Sequence, residues 1–260
     1  MDFDMGALIQ VMRRAGRVAL SVEELHPHTK GASDYVTDVD RAVDAFLIRE
    51  LPRLVPGRMY TEETPIDPGD YPGNTWVVDP IDGTTNVMFG LNLSAISAAL
   101  VTDGCVRAGA IYNPFSGELF HAQKGGGAFL NGQLIRVSDT RDLADALISF
   151  ELGPCAKGQQ AGYLARVTAL HQASSGVRLL GSAALDLCYL AAGRLSACVF
   201  DAIHPWDYAA GRLILEEAGG VATDCEGKPL VMRGRVRSMM ATNGHLQEAV
   251  LEIMRGFAWE

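Results

Sequence analysis

Trp76-Val77-Val78-Asp79-Pro80-Ile81-Asp82-Gly83-Thr84-Thr85-Asn86 is an apolar, β-type run that ends in two acids and a Gly-Thr-Thr turn. Carboxylates delivered so close together at the end of a strand repel: at about 4 Å the cost is about 4 kcal/mol at an effective dielectric of 20. A cation between them removes that cost. Oxygen-only ligation selects a hard ion such as Mg2+, which keeps several waters and shares its shell readily with a substrate phosphate. Gly83-Thr84-Thr85 adds flexible backbone and N–H donors, and a helix starting there points its positive end at an anion. Metal and phosphate sites then fall side by side. The competing reading is an Asx-rich surface turn, which Asp-Pro-x-Asp-Gly also makes.

Three further segments bear on the choice: Val36-Thr37-Asp38-Val39-Asp40, Thr61-Glu62-Glu63-Thr64, and Pro205-Trp206-Asp207-Tyr208-Ala209-Ala210-Gly211 running on to Glu217-Ala218-Gly219-Gly220. Each has an ordinary reading of its own. Asp38 and Asp40 suit the first turn of a helix, Glu62-Glu63 a solvated pair at a strand end, and Asp207 a helix cap. Together, and in this order, the four segments resemble the inositol monophosphatase family, a branch of the Mg2+- and Li+-responsive sugar phosphatases. The resemblance spans about Lys30 to Gly220.

The resemblance implies a five-layer αβαβα sandwich and two or three Mg2+ ions. Glu62, Asp79 and the carbonyl of Ile81 would surround one ion; Asp82 and Asp207 would bind a second, with Asp79 bridging. Several carboxylates in one site need divalent compensation in any case, and two cations can clamp the attacking and leaving oxygens of an in-line displacement. Asp40 with Thr84 would activate water, and the N–H groups of Gly83 and Thr84 would hold phosphate. On the substrate side, beside Asp82 and Asp207, the family pattern brings in Arg178 and Gly181-Ser182-Ala183, with Lys30 as a further cation. One departure stands out. Many inositol phosphatases carry a glutamate seven residues before the Trp-Asp aspartate; here that position is Phe200, with Asp201 next to it. Either Asp201 substitutes for it or the substrate end is more apolar.

The implied function is a Mg2+-dependent, lithium-sensitive phosphomonoesterase acting on a small polyol or sugar phosphate. Histidinol phosphate, fructose 1,6-bisphosphate or adenosine bisphosphate are alternatives within the family. A regulatory role on the RNA-processing or transcription machinery is a reading from another class. The family also implies a homodimer.

Composition bounds the rest. The 260 residues suffice for a large core, 48 % are hydrophobic and 20 % charged, and the net charge of −9 argues against a nucleic-acid or anionic-membrane surface. Five cysteines, odd in number and without C-x-x-C, read as reduced thiols of a cytoplasmic protein. No signal peptide or membrane-length apolar run is legible.

Apolar periodicity predicts a helix over about 4–25 and another after Thr37, strands at 59–62 and 75–79, and an antiparallel meander across 93–135. Strands and helices alternate from Ala146 onward. A soft boundary near Arg136–Asp142 divides an N-terminal α+β half, 1–140, carrying most of the implied metal ligands, from a C-terminal α/β half, 141–260, carrying Asp207 and the substrate side. The two form one catalytic unit. Gly125-Gly126-Gly127 could suggest a phosphate loop, but no helix follows it, so a hairpin turn is expected.

Overall fold

Apolar residues at helical spacing build the first layer. Leu8, Val11, Met12, Ala15 and Ala19 make the buried stripe of α1 (Met5–Ser21), which Asp4 caps by accepting the Ala7 N–H at 3.0 Å. Val39, Val43, Phe46, Leu47 and Leu51 do the same for α2 (Asp38–Leu54), with Pro52 in its last turn. A short antiparallel ribbon, β1 (His28–Gly31) and β2 (Asp34–Val36), lies between them in the chain. The computed structural model describes residues 3–22, 26, 28–31, 34–64, 69, 71–152, 160–232 and 236–257. Cys155 and the side chain of Lys30 lie outside the described residues.

A seven-stranded sheet follows in chain order: β3 (Arg58–Thr61), β4 (Asn74–Asp82), β5 (Ala95–Thr102), β6 (Cys105–Asn113), β7 (Glu118–Gln123), β8 (Ala128–Leu130) and β9 (Gln133–Leu134). Only β3 and β4 run parallel. The short α3 (Thr84–Met88) interrupts it. The expected strands and meander are all present, but β4 continues past Asp79 to Asp82.

A five-stranded mixed sheet has the order β11-β10-β12-β14-β13, from β10 (Leu147–Leu152), β11 (Gly176–Arg178), β12 (Ala197–Ile203), β13 (Val221–Thr223) and β14 (Val236–Thr242). Its helices are α4 (Gln160–Ala173), α5 (Ala183–Ala191), α6 (Pro205–Glu217) and α7 (Gln247–Arg255).

Side-chain alternation stacks these elements. Trp76, Val78, Ile96 and Leu100 pack against α1 and α2, whereas Val77, Ala99, Val101 and Ile111 pack against α5 and α6. The same central helices cover Cys198, Phe200, Met239 and Ala241 of the second sheet. The other face of that sheet, with Ile148, Phe150, Val199 and Met240, packs against α4 and α7. The layers are αβαβα.

Two contacts set α6 in the centre. Gly109 on β6 lies under it, where a Cβ would come within 3.0 Å of the Ala210 Cα. The Gly125-Gly126-Gly127 turn joins β7 to β8, and the N–H groups of Gly125 and Gly127 donate to the carboxylate of Glu217 at 2.7 and 2.8 Å. This glycine loop does hold an anion, and the anion is the protein's own. Gly109→Val should lift α6 from β6 and cost about 1–3 kcal/mol by overpacking, read as a lower urea midpoint; an unchanged midpoint would show that the close approach is not structurally required.

Candidate active site

The irregularity in β4 makes the site. Asp79 follows the alternation of Val77 and faces the central helices, but Ile81, which regular alternation would place beside it, packs with Trp76 and Val78 on the opposite face. The register with β5 shifts between Asp79 and Asp82. Such a shift re-aims side chains, and Asp82 turns back to the side of Asp79. The N–H of Ile81 closes the bend on Asp79 Oδ1 at 2.9 Å. Gly83 then takes φ +84°, a left-handed conformation, and a Cβ there would lie 2.9 Å from the carbonyl oxygens of Leu93 and Gly181. Glycine is required on both counts.

Asp207 arrives from the first turn of α6. It accepts the His204 N–H at 2.8 Å, so it is a capping residue and a site acid at once. His204 stacks on Trp206 with ring centroids 4.5 Å apart. One carboxylate oxygen from each of Asp79, Asp82 and Asp207 lies within 4.8 Å of the others.

Asp82 Oδ2 accepts from Ser182 Oγ and, at 2.9 Å, from the Ala184 N–H. Burial lifts the Asp82 carboxyl from 3.8 to about 6, against the lowering effect of these donors. Burial also holds Asp79 and Asp207 well above the ordinary carboxylate range; Glu62, Asp82 and Asp207 add to the effect at Asp79, Asp82 and Glu62 at Asp207. Among the described residues no lysine or arginine pairs with the three acids. An all-oxygen set of this kind fits a hard divalent cation. Glu62 stands at the end of β3, its N–H bonded to the Val78 carbonyl at 3.1 Å.

Thr84 Oγ1 lies 2.8 Å from Asp40 Oδ1 and 3.0 Å from the Ile81 carbonyl oxygen, either of which can accept its proton. The other oxygen of Asp40 accepts the N–H and hydroxyl of Thr37 at 2.8 and 2.5 Å, closing the capping box of α2. Asp40, not Asp38, therefore reaches the site; Asp38 instead meets His26 Nδ1 at 2.8 Å.

The substrate side departs from expectation. Phe200 is buried in the central core, so alternation turns Asp201 to the outer face of β12, where it forms an ion pair with Arg166 of α4 at 2.5 Å. Asp201, the acid offered as a substitute for the family's glutamate, is thereby held in a salt bridge. Arg178 is exposed at the sheet edge, its guanidinium donating to the Val177 carbonyl. Sequence reasoning missed Glu151, which accepts the N–H groups of Leu180 and Gly181, and Asn86, whose amide donates to the carbonyls of Leu93 and Leu180 at 2.7 Å. Asn86 closes the diagnostic stretch and could have been singled out; Glu151 had no local signal.

The inositol monophosphatase family model matches residues 3–256. The chain belongs to the inositol monophosphatase family. It is 37 % identical over 258 residues to the inositol-1-monophosphatase of Mesorhizobium japonicum, with 96 % of each chain covered. It is 35 % identical over 253 residues to the Nus factor SuhB of Salmonella typhimurium, covering 95 % of this chain and 94 % of that one. Among solved structures, the extragenic suppressor protein SuhB of Bartonella henselae superposes with a TM-score of 0.87 at 35 % identity, covering 96 % of this chain and 98 % of that one. Inositol monophosphatase family members are metal-dependent phosphatases of phosphorylated polyols, and this chain is a phosphoric monoester hydrolase.

The raised carboxyls give a sign to the pH dependence. The folded, metal-free protein holds the Asp82 proton more tightly than the unfolded chain does, so this stabilisation is full below about pH 3.8 and lost as pH rises towards 6, on the order of 3 kcal/mol in all. Metal-free Asp82→Asn should therefore be as stable as the parent or more so at pH 7, and saturating Mg2+ should raise its melting temperature less. A metal-free variant less stable than the parent, with its full Mg2+ response, would contradict the placement of Asp82 among the acids.

Proposed function

We propose that this chain hydrolyses small polyol or sugar phosphates, inositol phosphates among them, with two or three Mg2+ ions held by Glu62, Asp79, Asp82, Asp207 and the Ile81 carbonyl. The observation that carries the reading is a trio of acids, without a basic partner among the described residues, beside the Thr84–Asp40 pair. Bound Mg2+ supplies Lewis-acid stabilisation of the phosphoryl and leaving-group charge and lowers the pKa of water.

The chain's own residues do the rest. Thr84 Oγ1 orients the attacking water and takes a proton from it as its own proton passes to Asp40 Oδ1. Asp40 Oδ2 is already filled by the two donors of Thr37, which leaves Oδ1 as the oxygen to receive that proton. The N–H groups of Gly83 and Thr84 hold the phosphate oxygens. Arg178, Gly181 and Ala183 flank the substrate. Ser182 is engaged with Asp82, so its contribution passes through that acid.

A second role on the transcription machinery is favoured by one observation, the similarity to a Nus factor along almost the whole chain. The net charge of −9 favours a protein partner over direct nucleic-acid contact. The homodimer reading is supported by exposed Phe89 and Leu91 after α3 and exposed Leu179 after β11, at 77, 54 and 57 % exposure. A cytoplasmic setting is supported by the unpaired Cys105, Cys188, Cys198 and Cys225. Among the described residues no helix is long and apolar enough to cross a membrane.

Phosphate release from a panel of monoesters, with and without Mg2+, tests the main reading; the expected result is Mg2+-dependent release that Asp79→Asn abolishes. Thr84→Ala should lower kcat about 100-fold or more with a smaller change in KM; an effect confined to KM would leave Thr84 a phosphate ligand only. Millimolar Li+ should inhibit in the presence of Mg2+, and full activity in high lithium would count against a second ion at Asp82 and Asp207.

A further inference from the structure

The loop from Leu180 to Ser182 is held from two sides by side chains of distant elements. From β10, Glu151 Oε1 accepts the Leu180 N–H at 3.0 Å and the Gly181 N–H at 2.6 Å. From α3, Asn86 Nδ2 donates to the Leu180 carbonyl at 2.7 Å and lies 3.3 Å from that of Gly181. Gly181 has φ +73°, and a Cβ there would meet the Asn86 side chain at 3.1–3.2 Å, so the loop has no room to shift towards α3. The next residue, Ser182, caps α5 and donates its hydroxyl to Asp82 Oδ2, which also takes the Ala184 N–H.

We propose that Glu151 is a positioning residue for the metal site, fixing Asp82 through the Leu180–Ser182 loop. The inference rests on the metal-dependent phosphatase reading and adds to it a residue that touches neither metal nor substrate. Its benefit is geometric, because its charge acts the wrong way: Glu151 opposes the ionised forms of Asp82 and of Asp186, a wholly buried acid on α5. Both loop N–H groups reach the same oxygen, Oε1. A neutral side chain offering one carbonyl oxygen at that place can do the same work.

That separates geometry from charge in an experiment. Mg2+ binding is measured by titration calorimetry at 25 °C on the full-length parent, Glu151→Ala, Glu151→Gln and Glu151→Asp, alongside kcat and KM on a monoester that the parent hydrolyses. Loss of an outer-sphere contact to a ligand costs about 10–100-fold in metal affinity, so Glu151→Ala should bind Mg2+ at least about 10-fold more weakly and lose kcat with little change in KM at saturating Mg2+. Glu151→Asp, which withdraws the oxygen but keeps the charge, should weaken binding in the same direction. Glu151→Gln should stay within about 3-fold of the parent. A Glu151→Ala protein that melts lower yet binds Mg2+ like the parent would reduce Glu151 to a fold contact and overturn the proposal. If Glu151→Ala does not fold, the other two decide: Glu151→Gln weakened as much as Glu151→Asp would show that a carbonyl oxygen at that place does not suffice and would overturn it equally. A parent that binds no Mg2+ would instead overturn the phosphatase reading itself, and this inference with it.

Discussion

Three carboxylates that repel one another in a buried corner are the constraint on which the rest of the structure depends. Asp79 and Asp82 are 2 and 8 % exposed, and each is made harder to ionise by burial before any neighbour is counted. A fold does not assemble such a group by packing alone, because its apolar elements gain nothing from it. The acids are brought together by backbone devices: a register shift in β4, a left-handed glycine after it, and a helix that begins at Pro205. Each device stays in place because larger apolar layers on both sides fix the strand and the helix.

The helices that point into this corner also soften its charge. Asp40 and Asp207 occupy the same position in the capping boxes of α2 and α6. Each acid accepts backbone hydrogen bonds at its own helix N-terminus, where the helix dipole favours negative charge. The capping reading and the catalytic reading of these residues were never alternatives. A cap needs one carboxylate oxygen, and at Asp40 the second oxygen is the one that meets Thr84.

This explains which parts were legible in the sequence. The elements were, because apolar spacing at Leu8–Ala19 or Val43–Leu51 leaves little choice of period. So were two acids of the cluster, Asp79 and Asp82, since Asp-Pro-Ile-Asp-Gly-Thr-Thr packs strand end, bend and turn into one local segment. Order of the layers came from the resemblance, since periodicity marks a buried face without saying what covers it. Glu151 and Arg166 were illegible for another reason. Their partners, Gly181 and Asp201, lie about thirty or more residues away in sequence, across strand pairings that no local pattern encodes.

The substrate end follows from the same logic. Between Asp201 and His204 the chain passes through Ala202 at φ +66°, a strained conformation for a residue with a Cβ. Alternation just before it leaves Phe200 in the central core while Asp201 meets Arg166, whose side chain is 5 % exposed. A buried ion pair is weak evidence for net stability, since desolvation offsets much of the attraction. Its effect here is to commit Asp201, the acid next to the position where the family pattern has its glutamate. A site with a free buried acceptor rejects substrates lacking the hydroxyl strongly, because the acceptor is then left unpaired. Where the acceptor already has Arg166, a missing hydroxyl strands nothing. On the proposed function, discrimination among polyol phosphates should accordingly be shallow at this end of the site, read as kcat/KM values that differ little across a panel of polyol monoesters.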